Sequence, residues 1–600
     1  MGNLDLAKSR ITILAFSFIV VLSLLSLQLF RVQIFEAANY KVRALDEMET
    51  TRTVQAPRGE ITDINGVAFA RSVSAISIVV DQTQINNPAK TAAFVAPILG
   101  LSVSDVQSSI TGTRKYSMVL KNGRPALWEK LSAAMESYNA ELSSKDLGER
   151  IIGFFPERSY IREYPSGELI SSLVGFVRAD GVGATGIEFS MNSQITGTAG
   201  RYSYARANGA EIPGSQSEVL APKAGTSVRL TINRDVQWIA AKAIADAVKS
   251  SGAANGTVIV MDPKTGQIIA HATAPTFNPN NTKGVTLDLM RNPSVQDVYE
   301  PGSTGKVMTM AAALEEKTVT PTTVFTVPYG LYRAGKTFHD HERHATQHLT
   351  TTGILAVSSN TGSIQVGETL GSEKLYSYLT KFGIGSKTGS GLSGESAGIL
   401  HPVKDWSGTS APTVAFGQGY SLTAMQATSV FATIANGGVR VSPTVIAGTS
   451  DSSGHFTPAG NRDSVRVVSE ETAAKLRIMM ESVVSANGTA PSAAIPGYRV
   501  AGKTGTAQRV DPITGKYSGY TASFIGFAPA DSPRYVISVT LQRPRNGHFG
   551  GSLCGPVFKQ VMSFVLQSEH VAPTGTKVLP VALTQAQLKT FKATQVSAKR

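Results

Sequence analysis

Ser303 and Lys306 stand three residues apart in the stretch EPGSTGK, and on a helix such positions share a face. A serine hydroxyl attacks poorly until a neighbouring base takes its proton. A lysine amine can be that base only when its pKa is lowered, which burial and a second nearby cation achieve together. Alone, the pair is equally a capping serine beside a solvated lysine. Two later stretches change its meaning: Ser358-Ser359-Asn360, then Lys503-Thr504-Gly505-Thr506. Ser-x-x-Lys, Ser-x-Asn and Lys-Thr-Gly in this order form a set that performs acyl transfer through a serine ester. Lys503 is then the candidate second cation. Ser358 would supply a proton-relay hydroxyl, and Asn360 an amide that holds substrate.

These residues need elements to position them. The Glu-Pro-Gly lead-in places Ser303 at a helix N-terminus, where free backbone N–H groups can stabilise an oxyanion. VAGKTGTA reads as an edge strand, with Gly505 permitting close approach of a substrate backbone. Before the first motif, SVRLTIN predicts a strand and RDVQWIAAKAIADAVKSS an amphipathic helix with Val236, Ile239, Ala240 and Ile244 on its apolar face. GTVIVMDPKTGQIIAHAT predicts a hairpin, and Tyr520 to Arg543 a second one, with a helix over GPVFKQVMSFVLQ after it. Paired strands at both ends of the stretch with helices between them predict an α+β domain whose antiparallel sheet is closed by distant segments.

Nearer the N-terminus, Asn65-Gly66 predicts a hairpin turn and Asn87 to Leu99 a helix. No convergent acids, bases or ligands occur there, so this part reads as a mixed α/β spacer or pedestal. The final 30 residues are basic and polar with two prolines and read as a loosely attached tail.

The chain has 600 residues, more than one core usually supports. Its +13 net charge is dispersed rather than blocked, which argues against nucleic-acid binding and suits an anionic surface. A single cysteine, Cys554, excludes an intrachain disulfide and reads as a small buried residue. From Ile11 to Phe30 the chain carries no charge over 20 residues, enough to span a hydrocarbon core of about 30 Å. Without a clear cleavage pattern after it, this run reads as a retained anchor rather than a signal peptide. His339, His341, His344 and His348 lie within ten positions. Their spacing is not His-Glu-x-x-His, so they read as a polar loop near the cleft rather than a metal site.

Beyond the three motifs, RGEITDING, VMDPKTGQIIAHATAPTFNPN, RNPSVQDVYEPGSTGK, AVSSNTG, GLSGESAGIL, VAFGQGYSLTAMQ and IANGG follow one another in order. With these blocks the chain resembles the class B penicillin-binding proteins, monofunctional DD-transpeptidases of bacterial cell-wall synthesis, over about Phe30 to Pro573. The resemblance implies a penicillin-binding transpeptidase domain, an antiparallel sheet flanked by helices, over 223–570. Before it would come a cytoplasmic N-terminus (1–10), a transmembrane anchor (11–31) and a pedestal or dimerisation-like domain (32–222), with a tail (571–600) behind.

It further implies Ser303 as acylated nucleophile and Lys306 as general base, with Ser358, Asn360 and Lys503 completing the catalytic set. Thr504, Gly505 and Thr506 would bind the substrate carboxylate, and the Ser303 and Thr506 N–H groups would form the oxyanion hole. The implied partners are a peptidoglycan stem pentapeptide and an acceptor stem, β-lactams bound covalently at Ser303, a polytopic membrane glycosyltransferase and other division proteins. No cofactor, metal or nucleic acid is implied. The implied location is the plasma membrane, single-pass, with the catalytic domain on the extracytoplasmic side. The septal type is the nearest, with an elongation-type enzyme as the alternative. A carboxypeptidase or β-lactamase is a further reading, against which no Glu-x-x-Leu-Asn block follows Ser359. One departure stands out, since many relatives carry a bulky residue where this chain has Gly305.

Overall fold

The computed structural model describes residues 2–40, 49–143, 146–207, 210–211, 217–510, 515 and 517–597. Helix α1, Gly2–Phe30, continues through a π-helical turn, Arg31–Phe35. Over Lys8–Phe35 it is long and apolar enough to cross a membrane, and its Leu14, Phe16 and Phe18 side chains are exposed.

The chain forms two compact units. The first comprises Met1–Pro57, Ser74–Ile161 and Gly197–Ala224. Its core gathers Val80 from the end of a strand, Ala68–Val80, and Val95, Val106, Ile110 and Leu131 from helices over Pro88–Leu99, Val103–Ile110 and Pro125–Ala140. The predicted helix after Asn87 is present, and the Asn87 side chain caps it by accepting the Lys90 N–H. In the same unit Glu49–Val54 pairs antiparallel with Gly200–Ala207.

The second unit comprises Arg58–Val73, Arg162–Thr196 and Gly225–Arg600. Packing thus groups 58–73 and 162–196 with the later chain, although both fall within 32–222. The Asn65-Gly66 hairpin forms, with Asp63 accepting the Asn65 and Val67 N–H groups across the turn. Arg58 and Arg162 both bond the fully buried Glu188, at 2.8 and 2.6 Å. A buried carboxylate is tolerated only when paired in this way.

The later part of this unit is the predicted α+β domain. Helix α2, Arg234–Ser251, buries Val236, Ile239, Ala240 and Ile244, as its periodicity predicts, and is capped by Asn233. Strands β1 (Asn255–Met261) and β2 (Ile268–Ala274) form the first hairpin. Helices α3 (Lys306–Glu315), α4 (Thr351–Val357), α5 (Asn360–Glu368), α6 (Ala424–Ala435) and α7 (Glu470–Val484) follow. Strands β3 (Ala501–Val510), β4 (Tyr517–Ala528) and β5 (Tyr535–Gln542) and helix α8 (Gly550–Ser568) close the domain. All five strands make one antiparallel sheet in the order β2-β1-β5-β4-β3, so β1 from the start pairs with β5 from the end. Helices α2 and α8 pack together on one face, where Phe524 meets Phe558 edge-on at 4.9 Å. Helix α6, buried at every position, covers the other. Cys554 is buried in α8, as expected of a small apolar residue, and burial raises its thiol pKa.

The tail departs from expectation. Thr350 donates from its N–H to the Leu583 carbonyl and from its hydroxyl to the Ala582 carbonyl, at 3.0 and 2.7 Å. Polar composition suggests a loose segment, but the buried Thr350 offers backbone and hydroxyl donors that fix it. A helix, Gln585–Ser597, follows this contact.

Candidate active site

Ser303 lies in a 3-10 turn, Gly302–Thr304, that runs straight into α3. The segment 415–422 braces this turn from behind. Gly302 N–H donates to the Gly417 carbonyl at 2.8 Å, and Gly419 N–H to the Glu300 carboxylate at 2.8 Å. Tyr299 and Leu422 exchange two backbone hydrogen bonds. A Cβ at Gly417 would overlap the Gly302 carbonyl, and Gly417 has φ +97°, so only glycine serves there.

The same brace accounts for Gly305. A Cβ at this position would collide with the Tyr420 hydroxyl and sit 2.8 Å from Gly417 Cα. Tyr420 is 2% exposed and its hydroxyl has no hydrogen-bond partner. Its ring therefore fills the space a side chain at 305 would take. In this chain, then, glycine at 305 is required by the packing of Tyr420 and Gly417 against it.

One turn on, Lys306 is fully buried, and its Nζ lies 3.0 Å from Ser303 Oγ. It also bonds the Ser358 carbonyl at 2.5 Å and Asn360 Oδ1 at 2.8 Å. Burial lowers its pKa to about 7, against the opposing pull of Asp340. A neutral amine keeps two N–H bonds, and the Ser358 carbonyl and Asn360 Oδ1 can hold both. The lone pair then points at Ser303, the arrangement a general base requires.

Ser358 ends α4 in the left-handed conformation, φ 63°, a strained position for a side-chain-bearing residue. The twist turns its hydroxyl between the two lysines, 2.9 Å from Lys503 Nζ and 3.3 Å from Lys306 Nζ. Lys503 is also fully buried, and burial together with the charge of Lys306 lowers its pKa. Burial is the first cause for both amines, and repulsion between the two buried lysines is mutual, so each makes the other's charged form less favourable.

Strand β3 lies at the sheet edge beside β4, as expected. Gly505 lies close to the turn that carries Ser303. A Cβ there would meet Ser523 Oγ and lie 3.1 Å from the Pro301 carbonyl and Thr304. Thr504 is buried, its hydroxyl 2.8 Å from that of Thr489, while Thr506 is half-buried and accepts the Gly550 N–H at 3.2 Å. Asn360 spends its amide on Lys306 and, through Nδ2, on the His339 carbonyl at 3.0 Å. It thus positions the base in addition to the substrate-holding role expected of it.

The four histidines do not converge on one another among the described residues. His339 packs on Tyr329, His341 meets Phe549 edge-on at 5.2 Å, and His348 bonds Thr326. His344 bonds Asp340 at 3.0 Å. Asp340 is the residue that sequence reasoning missed. Its carboxylate accepts the N–H groups of Asn360 and Thr361 at 2.5 and 2.9 Å and the Ser359 hydroxyl at 2.6 Å. It thereby anchors the start of α5. The available signal was a lone acid inside FHDHERH, masked by the histidines around it.

Comparison with known proteins bears on the family and the fold. Residues 256–563 match the penicillin-binding protein transpeptidase domain, and residues 53–230 the penicillin-binding protein dimerisation domain. Penicillin-binding protein PbpB of Mycolicibacterium smegmatis is 36% identical over 575 residues, covering 92% of this chain and 89% of the relative. Peptidoglycan D,D-transpeptidase FtsI of Escherichia coli K12 is 30% identical over 537 residues, covering 87% and 85%. The crystal structure of penicillin binding protein 3 from Mycobacterium tuberculosis, complexed with aztreonam, superposes with a TM-score of 0.69 at 31% identity, covering 89% of this chain and all of that one. Two matched domains in order, together with relatives of this identity over most of their length, place the chain in the class B penicillin-binding protein family.

Proposed function

We propose that this protein is a membrane-anchored peptidoglycan D,D-transpeptidase, working through an acyl-enzyme at Ser303. The observation that carries the reading is the single hydrogen-bonded chain from Ser303 Oγ through Lys306 Nζ to Ser358 Oγ and Lys503 Nζ.

Ser303 Oγ attacks the carbonyl of the penultimate D-Ala of a stem pentapeptide while its proton passes to Lys306. The Ser303 and Thr506 N–H groups receive the oxyanion. Thr504, Gly505 and Thr506 bind the terminal carboxylate on β3. As the C–N bond breaks, the proton reaches the departing D-Ala amine through Ser358, between the two lysines. An amine on a neighbouring stem then attacks the ester, its proton returns by the same route, and the cross-link forms. β-Lactams take the first step and remain as an ester on Ser303. Thr504 contributes from a buried position, so its part is to shape the carboxylate site as well as to bind within it.

The apolar helix over Lys8–Phe35 holds the protein in the plasma membrane, with the catalytic domain on the extracytoplasmic side where stem peptides are found. The resemblance to FtsI favours a septal role beside a polytopic glycosyltransferase and other division proteins. Incubation with a donor pentapeptide and an acceptor amine, read by mass spectrometry, tests the reaction. Cross-linked product with release of D-Ala is expected, and its loss on Ser303→Ala. Free tetrapeptide as the sole product would make the enzyme a carboxypeptidase instead. A fluorescent fusion at midcell supports the septal role, whereas lateral-wall placement contradicts it.

A further inference from the structure

His344 is bonded through both of its ring nitrogens. Nδ1 lies 2.7 Å from the Ala345 carbonyl and Nε2 lies 3.0 Å from Asp340 Oδ2. A carbonyl oxygen can only accept, and an ionised carboxylate only accepts, so both nitrogens must donate. Only the imidazolium form has two N–H groups. The ring is largely covered, with 17% of its side chain exposed, so water does not readily replace either partner.

The carboxylate it bonds is the one that organises the site. Asp340 holds the Asn360 and Thr361 N–H groups and the Ser359 hydroxyl. Asn360 in turn receives Lys306, and the Asp340 charge acts on Lys306 directly by raising its pKa. Lys306 must lose its proton to serve as base, so an uncompensated Asp340 opposes the reaction.

We propose, resting on the transpeptidase reading above, that His344 is a positioning residue whose imidazolium neutralises Asp340 and so sets the pH at which Lys306 becomes a base. With His344 charged, Asp340 keeps its grip on α5 while its field at Lys306 is offset. With His344 neutral, one of its two hydrogen bonds is lost, and the full negative charge favours the protonated lysine. One aromatic ring faces His344, and two further groups pack on that ring. The Tyr329 ring stands edge-on to His344 at 6.0 Å, Arg343 lies over that ring at 5.7 Å and His339 packs against it at 4.9 Å. Lys306 faces Asp340 from α3, and Lys503 faces Lys306 from β3. No carboxylate besides Asp340 bonds His344 among the described residues. Burial disfavours the imidazolium, but the bonds to Ala345 and Asp340 outweigh it and raise its pKa above the usual 6.5.

The test is the second-order rate of acylation by a fluorescent penicillin between pH 5.5 and 9, in the full-length protein in detergent. His344→Gln keeps a donor toward Asp340 but no charge. It should move the rising limb of the profile upward by about half a pH unit, lowering the rate at pH 6.5 by about threefold and changing it little at pH 8.5. His344→Arg, which restores the charge, should bring the limb back. His348→Gln, outside the pair, should superpose on the parent. A His344→Gln profile lowered by the same factor at every pH would mean a structural role only and overturn the proposal. An unchanged profile would do the same. Should His344→Gln fail to fold, NMR titration of His344 in the parent protein decides, since a pKa at or below 6.5 contradicts a stable imidazolium. A parent that does not acylate at all, with Ser303 intact, refutes the transpeptidase reading and not the pairing, which the NMR titration reads independently.

Discussion

At the scale of single residues, the site depends on burying two amines that water would otherwise keep charged. Lys306 falls from 10.5 to about 7 chiefly through burial, and Lys503 is lowered in the same sense. The sign follows for stability. Between pH 7 and 10.5 the unfolded chain binds more protons than the folded one, so the protein gains stability as pH rises through this window. Thermal unfolding at pH 7 and pH 9.5 should show a higher midpoint at the alkaline value. Lys306→Met should reduce that gain but not abolish it, because Lys503 contributes with the same sign. An undiminished gain in Lys306→Met would place the shift elsewhere. Gly305 yields a second prediction at this scale. Gly305→Ala forces a methyl into the Tyr420 hydroxyl and the Gly417 backbone, an overpacking cost of about 1–3 kcal/mol. Acylation should slow by about tenfold, since the strained turn carries the nucleophile. Adding Tyr420→Phe should recover part of the loss in both acylation rate and unfolding midpoint.

At the scale of elements, α4 joins Ser358 at its C-terminal end to the tail at its start. Thr350 caps α4 by accepting the Gly353 N–H at 3.0 Å while its own groups hold 582 and 583. A Cβ at Gly353 would overlap the Leu583 carbonyl. Gly353→Ala should therefore release the tail, detected as faster proteolytic cleavage between 570 and 590. Thr350→Ala should lower stability by about 1–2 kcal/mol through the lost cap, measured by denaturant unfolding. Both hairpins, α2, α8 and the edge position of β3 were legible in the sequence, because alternation and 3.6-residue periodicity report burial directly. The tail contact was not, because it rests on one threonine and two carbonyls that composition does not weight. Asp340 was hidden for a related reason: its role is to accept N–H groups from a segment 20 residues later, and only the fold brings them together. The left-handed Ser358 leaves no mark in the sequence either, since serine has no special preference for that conformation.

At the scale of the whole molecule, one helix among the described residues is suited to a membrane and belongs to the first compact unit, and each of the three motifs lies in the second. The order Ser303, Ser358, Lys503 was readable because the motifs are local, while their meeting point was not. It requires β1 and β5 to pair across the length of the domain and α3, α4 and β3 to converge beside that sheet. A protein shortened to begin after residue 35 should leave the membrane fraction and still be acylated by penicillin within about twofold of the full chain, since no catalytic contact described here involves the helix. Loss of acylation in a folded, shortened protein would contradict the separation of anchoring from chemistry.

The central claim is that Ser303 is the nucleophile, and peptide mapping of the penicillin-labelled protein tests it most directly. The account predicts a single acylated peptide containing Glu300 to Lys306, with the adduct on Ser303 and no adduct in Ser303→Ala. An adduct on any other residue, or labelling that survives Ser303→Ala, would contradict it.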